Sequence, residues 1–195
     1  SSAADANTIG TGLLPAALGI GAKTRQNDLD VAIQFSFFTG TSSGGNSGAG
    51  GNTLNIRQAY LTFGDASWGS IKAGRDLGIF GSDAILSDMT LLGVGVGGPA
   101  GGSSTLGRIG SGYIYADWKG QIQYSTPNFN GFSATAGVTQ AWNGTGNTER
   151  GGKEPAFEGK VSYAFTADQV TGKVWASGIS QNVQLTSTVD DRASA

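Results

Sequence analysis

Residues 54–95 read LNIRQAYLTFGDASWGSIKAGRDLGIFGSDAILSDMTLLGVG, and their pattern decides the fold. Apolar and polar residues alternate on both sides of Gly64-Asp65-Ala66-Ser67-Trp68-Gly69, which predicts two strands joined by a tight turn. The first strand changes phase, as Leu54 and Ile56 give way to Ala59, Leu61 and Phe63. A β-bulge near Arg57-Gln58 accounts for the change. In the second strand, regular alternation puts Arg75 on the face of Ile71 and Ala73. A bulge at Gly74 is predicted to return it to the polar face. Beyond Arg75 the chain enters a long Gly-rich loop carrying Asp83 and Asp88.

The same period of two extends outward. Leu29, Val31, Ile33, Phe35 and Phe37 alternate with Asp30, Ala32, Gln34 and Ser36. Trp118, Gly120, Ile122 and Tyr124 alternate with Lys119, Gln121, Gln123 and Ser125. Phe157, Gly159, Val161, Tyr163 and Phe165 alternate with Glu158, Lys160, Ser162 and Ala164. The run from Phe132 alternates more weakly, and a long strand after Lys173 is read through Trp175, Ile179, Val183 and Leu185. About seven strands are predicted in this way. Short links at 64–69, 126–131 and 166–172 take turns with long Gly/Ser-rich ones at 40–53, 76–117 and 143–155. Membrane barrels, whose two ends face different compartments, have such a rule; soluble sandwiches do not. Phe63, Trp68, Tyr124, Phe129, Phe132 and Phe165 all fall beside the short links, as an interfacial aromatic girdle requires. The fold class read from the pattern is all-β, an antiparallel transmembrane β-barrel, with residues 1–195 forming one barrel domain.

Composition narrows the chemistry. The 195 residues include 34 Gly, no Cys and no His, and that glycine content is well above the usual share of roughly 7%. A thiol nucleophile, a zinc site with Cys or His ligands and a Ser-His-Asp triad are therefore outside the reach of this chain. The net charge of −2 leaves no basic stripe for nucleic acid. No stretch of about 18 apolar residues offers a transmembrane helix. Thr8–Gly21 is apolar but interrupted by Pro15 and glycines, without the basic start of a signal peptide. No cofactor or metal is expected.

Four segments carry a family resemblance. Arg57-Gln58-Ala59-Tyr60-Leu61-Thr62-Phe63 resembles the Arg-x-Ala-aromatic-x-Gly-Leu strand of the general porins of Gram-negative outer membranes. Trp68-Gly69-Ser70-Ile71-Lys72-Ala73-Gly74-Arg75 resembles their Phe-Gly-x-Val-x-x-Gly-Arg hairpin, and Ser87-Asp88-Met89 lies where they begin an inward-folded loop. Ile122–Phe132 is similar to their Ile-x-Tyr-x-Ser-Pro-x-Phe-x-Gly-Phe. Two departures stand out: Gly120-Gln121 replaces an Asn-Ser pair, and the loop after Met89 lacks the acids many relatives carry. The resemblance implies a porin-type barrel of which this chain covers about half of some 16 strands, with both termini truncated.

The implied function is a water-filled channel for passive diffusion of small hydrophilic solutes and ions, with no enzymatic activity. The implied partners are outer-membrane lipid and two further copies in a homotrimer. A constriction-type loop at about 76–117 would place Asp83 and Asp88 opposite a basic wall of Arg57, Lys72, Arg75, Arg108 and Lys119. Opposed charges across a narrow pore favour polar over apolar solutes. Two other architectures compete: a small plugged barrel serving as anchor or adhesin, and a soluble sandwich binding carbohydrate through Trp68, Trp118 or Trp142. Gly93, Gly95 and Gly98 form a GxGxxG that lacks the strand and helix of a dinucleotide site. Asn143-Gly144-Thr145 reads as an exposed loop, and Glu158 and Lys160 as a mutually solvated pair on a polar face.

Overall fold

A computed structural model describes residues 16–39, 54–88, 113–141, 148–150, 154–185 and 190–194. They form one antiparallel sheet of ten strands. The strands are β1 (Ala16–Gln26), β2 (Leu29–Thr39), β3 (Leu54–Asp65), β4 (Gly69–Leu77) and β5 (Trp118–Ser125). They continue as β6 (Phe132–Thr139), β7 (Thr148–Arg150), β8 (Ala156–Ala167), β9 (Val170–Leu185) and β10 (Asp190–Ser194). Neighbours in sequence are neighbours in the sheet, except that β6 pairs β8 while short β7 pairs β9. One helix, α1 (Ser82–Leu86), lies in the loop after β4. The sheet is a single layer with β1 and β10 at its edges, so the sandwich alternative falls.

The register sorts the side chains. Ile33 faces Leu61, Leu61 faces Ala73, and Ala73 faces Ile122. Ile122 faces Val138, and Val138 faces Phe157. This row is exposed: Ile122 keeps 64% and Phe157 61% of its surface. The opposite face holds the buried polar residues Ser36, Asp76, Lys119, Gln121, Thr139, Glu158 and Ser162. A soluble protein does the reverse. Apolar outside and polar inside is the arrangement of a barrel wall in hydrocarbon.

Among the described residues the tight turns lie at one end. Asn27 and Asp28 both have positive φ, 50° and 60°, the backbone of a two-residue hairpin turn that follows the strand twist. Residues 66–68, 126–131 and 168–169 make the other turns, and the long connections lie at the opposite end. The β1–β2 hairpin is absent from the sequence reading above, because Gly19 and Gly21 occupy its inner positions. A Cβ on Gly21 would come within 2.7 Å of Gln34 Oε1. At the turn rim Arg25 bridges Asp30 at 2.7 Å and Asp65 at 2.8 Å, tying the first hairpin to the second. Tyr163 and Phe165 stack outward beside the last turn, and Tyr124 Oη donates to the Trp68 carbonyl at 2.5 Å beside another.

The bulge is where the phase change put it: Ser36 pairs Gln58 and Phe37 pairs Ile56, leaving Arg57 as the extra residue. No bulge occurs at Gly74, which pairs in register with both Tyr60 and Gln121. Gly74 instead takes φ 132°, and a Cβ there would meet the Ala59 carbonyl oxygen at 2.3 Å. Arg75 thus keeps the row of Ala59 and Gly120. In β9, Trp175 faces Ser162, so Trp175 and Ile179 stand on the inner face and Val174, opposite Tyr163, on the outer.

The two faces predict different tolerances. In lipid vesicles Ile122→Arg should lower unfolding free energy by about 2–4 kcal/mol, the cost of a cation in a bilayer midplane. Gln123→Arg, one residue along and on the inner face, should cost far less. Urea titration of both variants checks this; equal losses would mean the faces are assigned wrongly.

Candidate functional site

The described residues of the loop between β4 and β5, 78–88 and 113–117, lie over the inner face, anchored first at the stem. The Gly78 N–H donates to the Asp117 carbonyl at 2.8 Å, closing the loop where it leaves β4 and returns to β5. Two residues on, the Phe80 N–H donates to Glu158 Oε2 at 2.8 Å. Glu158 Oε1 accepts from Lys119 Nζ at 2.6 Å and from Thr139 Oγ1 at 2.8 Å. The Lys119 and Glu158 side chains are 3% and 0% exposed. Glu158 and Lys160 are therefore not a mutually solvated pair. Burying a carboxylate is costly unless an opposite charge and further donors surround it, and deleting one partner alone costs about 3–5 kcal/mol. Glu158 has both, from β5, β6 and the loop.

A second attachment lies one turn further. Asp83, in the first turn of α1, bridges Lys160 of β8 at 2.7 Å and Lys173 of β9 at 2.6 Å. The Ser82 hydroxyl donates to the Ile79 carbonyl at 2.9 Å. Ile79, Ile85, Ala116, Ala141 and Ala156 are the buried apolar residues among those described. They come from the loop and the strand ends beneath it, so this apolar core seats the loop. Burial pushes the Asp83 carboxyl up, but the hydrogen bonds and charges of Lys160 and Lys173 outweigh it and leave the pKa below the ordinary 3.8. At the far end of the described loop Tyr113 Oη donates to Asp88 Oδ2 at 2.5 Å. Burial and then Asp88 push the Tyr113 phenol up to about 12.

The predicted basic wall divides. Lys72 Nζ bridges Asp76 Oδ2 at 2.5 Å and sits 4.6 Å from the Tyr60 ring centroid. Gln58 Nε2 donates to the other oxygen of Asp76 at 2.9 Å. Lys119 is committed to Glu158. Neither lysine reaches Asp83 or Asp88, whose partners are Lys160, Lys173 and Tyr113 instead. Reach explains the difference: α1 docks over β8 and β9, beyond the strands that carry Lys72 and Lys119.

The arginines behave differently. Arg57, extruded by the bulge, lays its guanidinium 4.4 Å from the Phe38 ring centroid and 5.9 Å from that of Trp118. Arg75 donates Nε–H to the Ile56 carbonyl at 3.2 Å. Burial raises the Tyr115 phenol pKa, and the charges of Arg57 and Arg75 oppose it, so both act on the same loop residue. Among the described residues no carboxylate lies within ion-pair distance of either arginine. Arg108, Trp142, the Gly93–Gly98 motif and Asn143 lie outside the described residues. Sequence reasoning missed Asp76, Tyr113, Tyr115 and Lys173 as site residues; a lysine or acid at an inward strand position was the available signal.

Asp83 makes the second attachment sensitive to acid. A carboxylate whose folded pKa lies below its unfolded value stabilises above the unfolded value, and the contribution is lost as pH falls through the depressed one. The chain has no cysteine, so Leu86→Cys, an exposed site on α1, takes a single spin label. Label mobility should rise reversibly as pH falls below 3.8. Asp83→Asn should give the mobile spectrum at neutral pH; a rigid label in both cases would remove Asp83 from the attachment.

The wall, the inward loop and their charges can be set against known proteins. No curated protein matches the chain. The model of the family described as Gram-negative porin matches residues 1–193. That match covers the hairpins, the loop and the sheet with its polar inner and apolar outer face, and by it the chain belongs to the Gram-negative porins, proteins of the outer membrane.

Proposed function

We propose that the chain lines a water-filled channel through which small hydrophilic solutes and ions diffuse passively, narrowed by the loop between β4 and β5, whose described residues 78–88 and 113–117 lie against the inner wall. The observation that carries the reading is the docking of that loop onto the polar face through Glu158 and Asp83. A loop held over the outer face or projecting from the rim would leave the lumen open. The ten-strand sheet belongs to a barrel of about 16 strands, its tight turns on the periplasmic side. Three such barrels form the homotrimer that the family resemblance implies, which native electrophoresis of the detergent extract tests.

The charges favour anions. Asp76 and Glu158 each pair with a lysine, and Asp83 is shared by two. Residues 89–112 contain Arg108 and no acid. Arg57, extruded by the bulge beside inner Gln58, has no described carboxylate within ion-pair distance, so its charge is left unneutralised on the polar face. A positive field in a narrow, low-dielectric passage concentrates anions.

Planar-bilayer recording tests both statements. Stepwise, long-lived ohmic currents are expected from the wild type, with a reversal potential in a KCl gradient on the anion side. Arg57→Ala should move that potential toward the cation side. A protein that inserts and passes no current would sink the channel; cation preference in the wild type would sink the charge assignment alone.

A further inference from the structure

We infer that Glu158 is the positioning residue of the channel: its grip on the Phe80 N–H fixes the direction in which the loop leaves the wall, and so the width of the passage. The inference rests on the channel reading above. Three features single out Glu158 among the loop's contacts. Its partner on the loop is a backbone group, so no rotamer change of a loop side chain can release it. It is fully enclosed, and its remaining acceptor capacity is met by Lys119 and Thr139. Its surroundings come from three adjoining strands, β5, β6 and β8, which makes the socket as rigid as the sheet itself.

The grip acts together with the stem. The Gly78 N–H is tied to Asp117 and the Phe80 N–H to Glu158. Two anchored peptide groups that close leave little freedom in the chain's exit from β4. The fit at Gly78 is close: a Cβ there would lie 2.4 Å from the Ala116 carbonyl oxygen and 3.3 Å from Glu158 Oε2. The Asp83 attachment differs in kind. It depends on two flexible lysine side chains, one of them, Lys173, 46% exposed, and exposed pairs of that sort hold weakly. Glu158 therefore sets the loop's course, and Asp83 trims its outer part.

The test separates the acceptor from the buried charge. Lys119→Met with Glu158→Gln removes both charges but keeps an amide oxygen for the Phe80 N–H. Lys119→Met with Glu158→Leu removes the acceptor as well. Phe80→Pro deletes the donor together with the ring and leaves the wall pair intact, and Phe80→Ala, which keeps the N–H, controls for the ring. Each is first checked for insertion as a folded barrel, then recorded in a planar bilayer and, with Leu86→Cys added, by spin-label mobility.

The Gln double variant should match the wild type in conductance, open-channel noise and label mobility. The Leu double variant and Phe80→Pro should each show several-fold higher open-channel noise, substates and a mobile label. If the Leu double variant does not fold, Phe80→Pro alone decides the matter. Wild-type records from Phe80→Pro, or identical records from the two double variants, would overturn the role of Glu158. A wild type that never conducts would overturn the channel instead, with the label still reporting whether the loop is held.

Discussion

The structure answers one constraint: a single sheet must satisfy hydrocarbon on one face and water on the other, with its backbone groups paired along the strands. Both solvents are served by a period of two. Ile33, Leu61, Ala73, Ile122, Val138 and Phe157 run across six strands as one apolar row. Ser36, Gln121, Thr139 and Glu158 are buried behind it. No second layer is needed to cover the apolar face, because lipid covers it. What would be a dangerous surface in a cytosolic protein is here the face that anchors the chain.

On the inner face the governing quantity is desolvation. Ionised groups exposed to lumen water need no partner, whereas those beneath the loop do. Lys119 and Glu158, the most enclosed, pair at 2.6 Å, with Thr139 and the Phe80 N–H completing the carboxylate's needs. Lys173, reaching from the side, stays half in water. The arginines find a third solution, with Arg57 against the rings of Phe38 and Trp118. A weakly hydrated planar cation tolerates an aromatic neighbour where an ammonium would hold its water. Pairing and exposure thus follow depth beneath the loop, from the enclosed Lys119–Glu158 pair to the half-exposed Lys173.

The legible parts of this fold were local. The hairpin of β3 and β4 and the bulge at Arg57 follow from a phase slip within ten residues of sequence. β1 was obscured because its inner positions hold Gly19 and Gly21, where a lumen wall accepts residues without side chains and the alternation fades. In β9 the period was readable but its facing was not. Trp175 and Ile179 look like an outer row until pairing with β8 turns them inward. Gly74 was legible as an anomaly, but an unusual φ kept in register and an inserted residue leave the same trace in sequence. At the site, Lys119 could be placed on the inner wall from its own strand. Its partner Glu158 lies 39 residues away, and Phe80 meets the same carboxylate across 78. Contacts of that range depend on which strands become neighbours and how far α1 reaches, and neither is written in any local window.

The attachment of Asp83 to two strands at once has a mechanical side. Lys160 belongs to β8 and Lys173 to β9, while the same loop is rooted in β4 and β5 and gripped by Glu158. One segment therefore ties together strands that are otherwise joined only edge to edge through their neighbours. Sliding of β8 against β9, or flattening of the wall under lateral pressure from the bilayer, would have to stretch these ties. The loop that docks on the polar face is, by the same bonds, a strut that holds β4, β5, β8 and β9 in register.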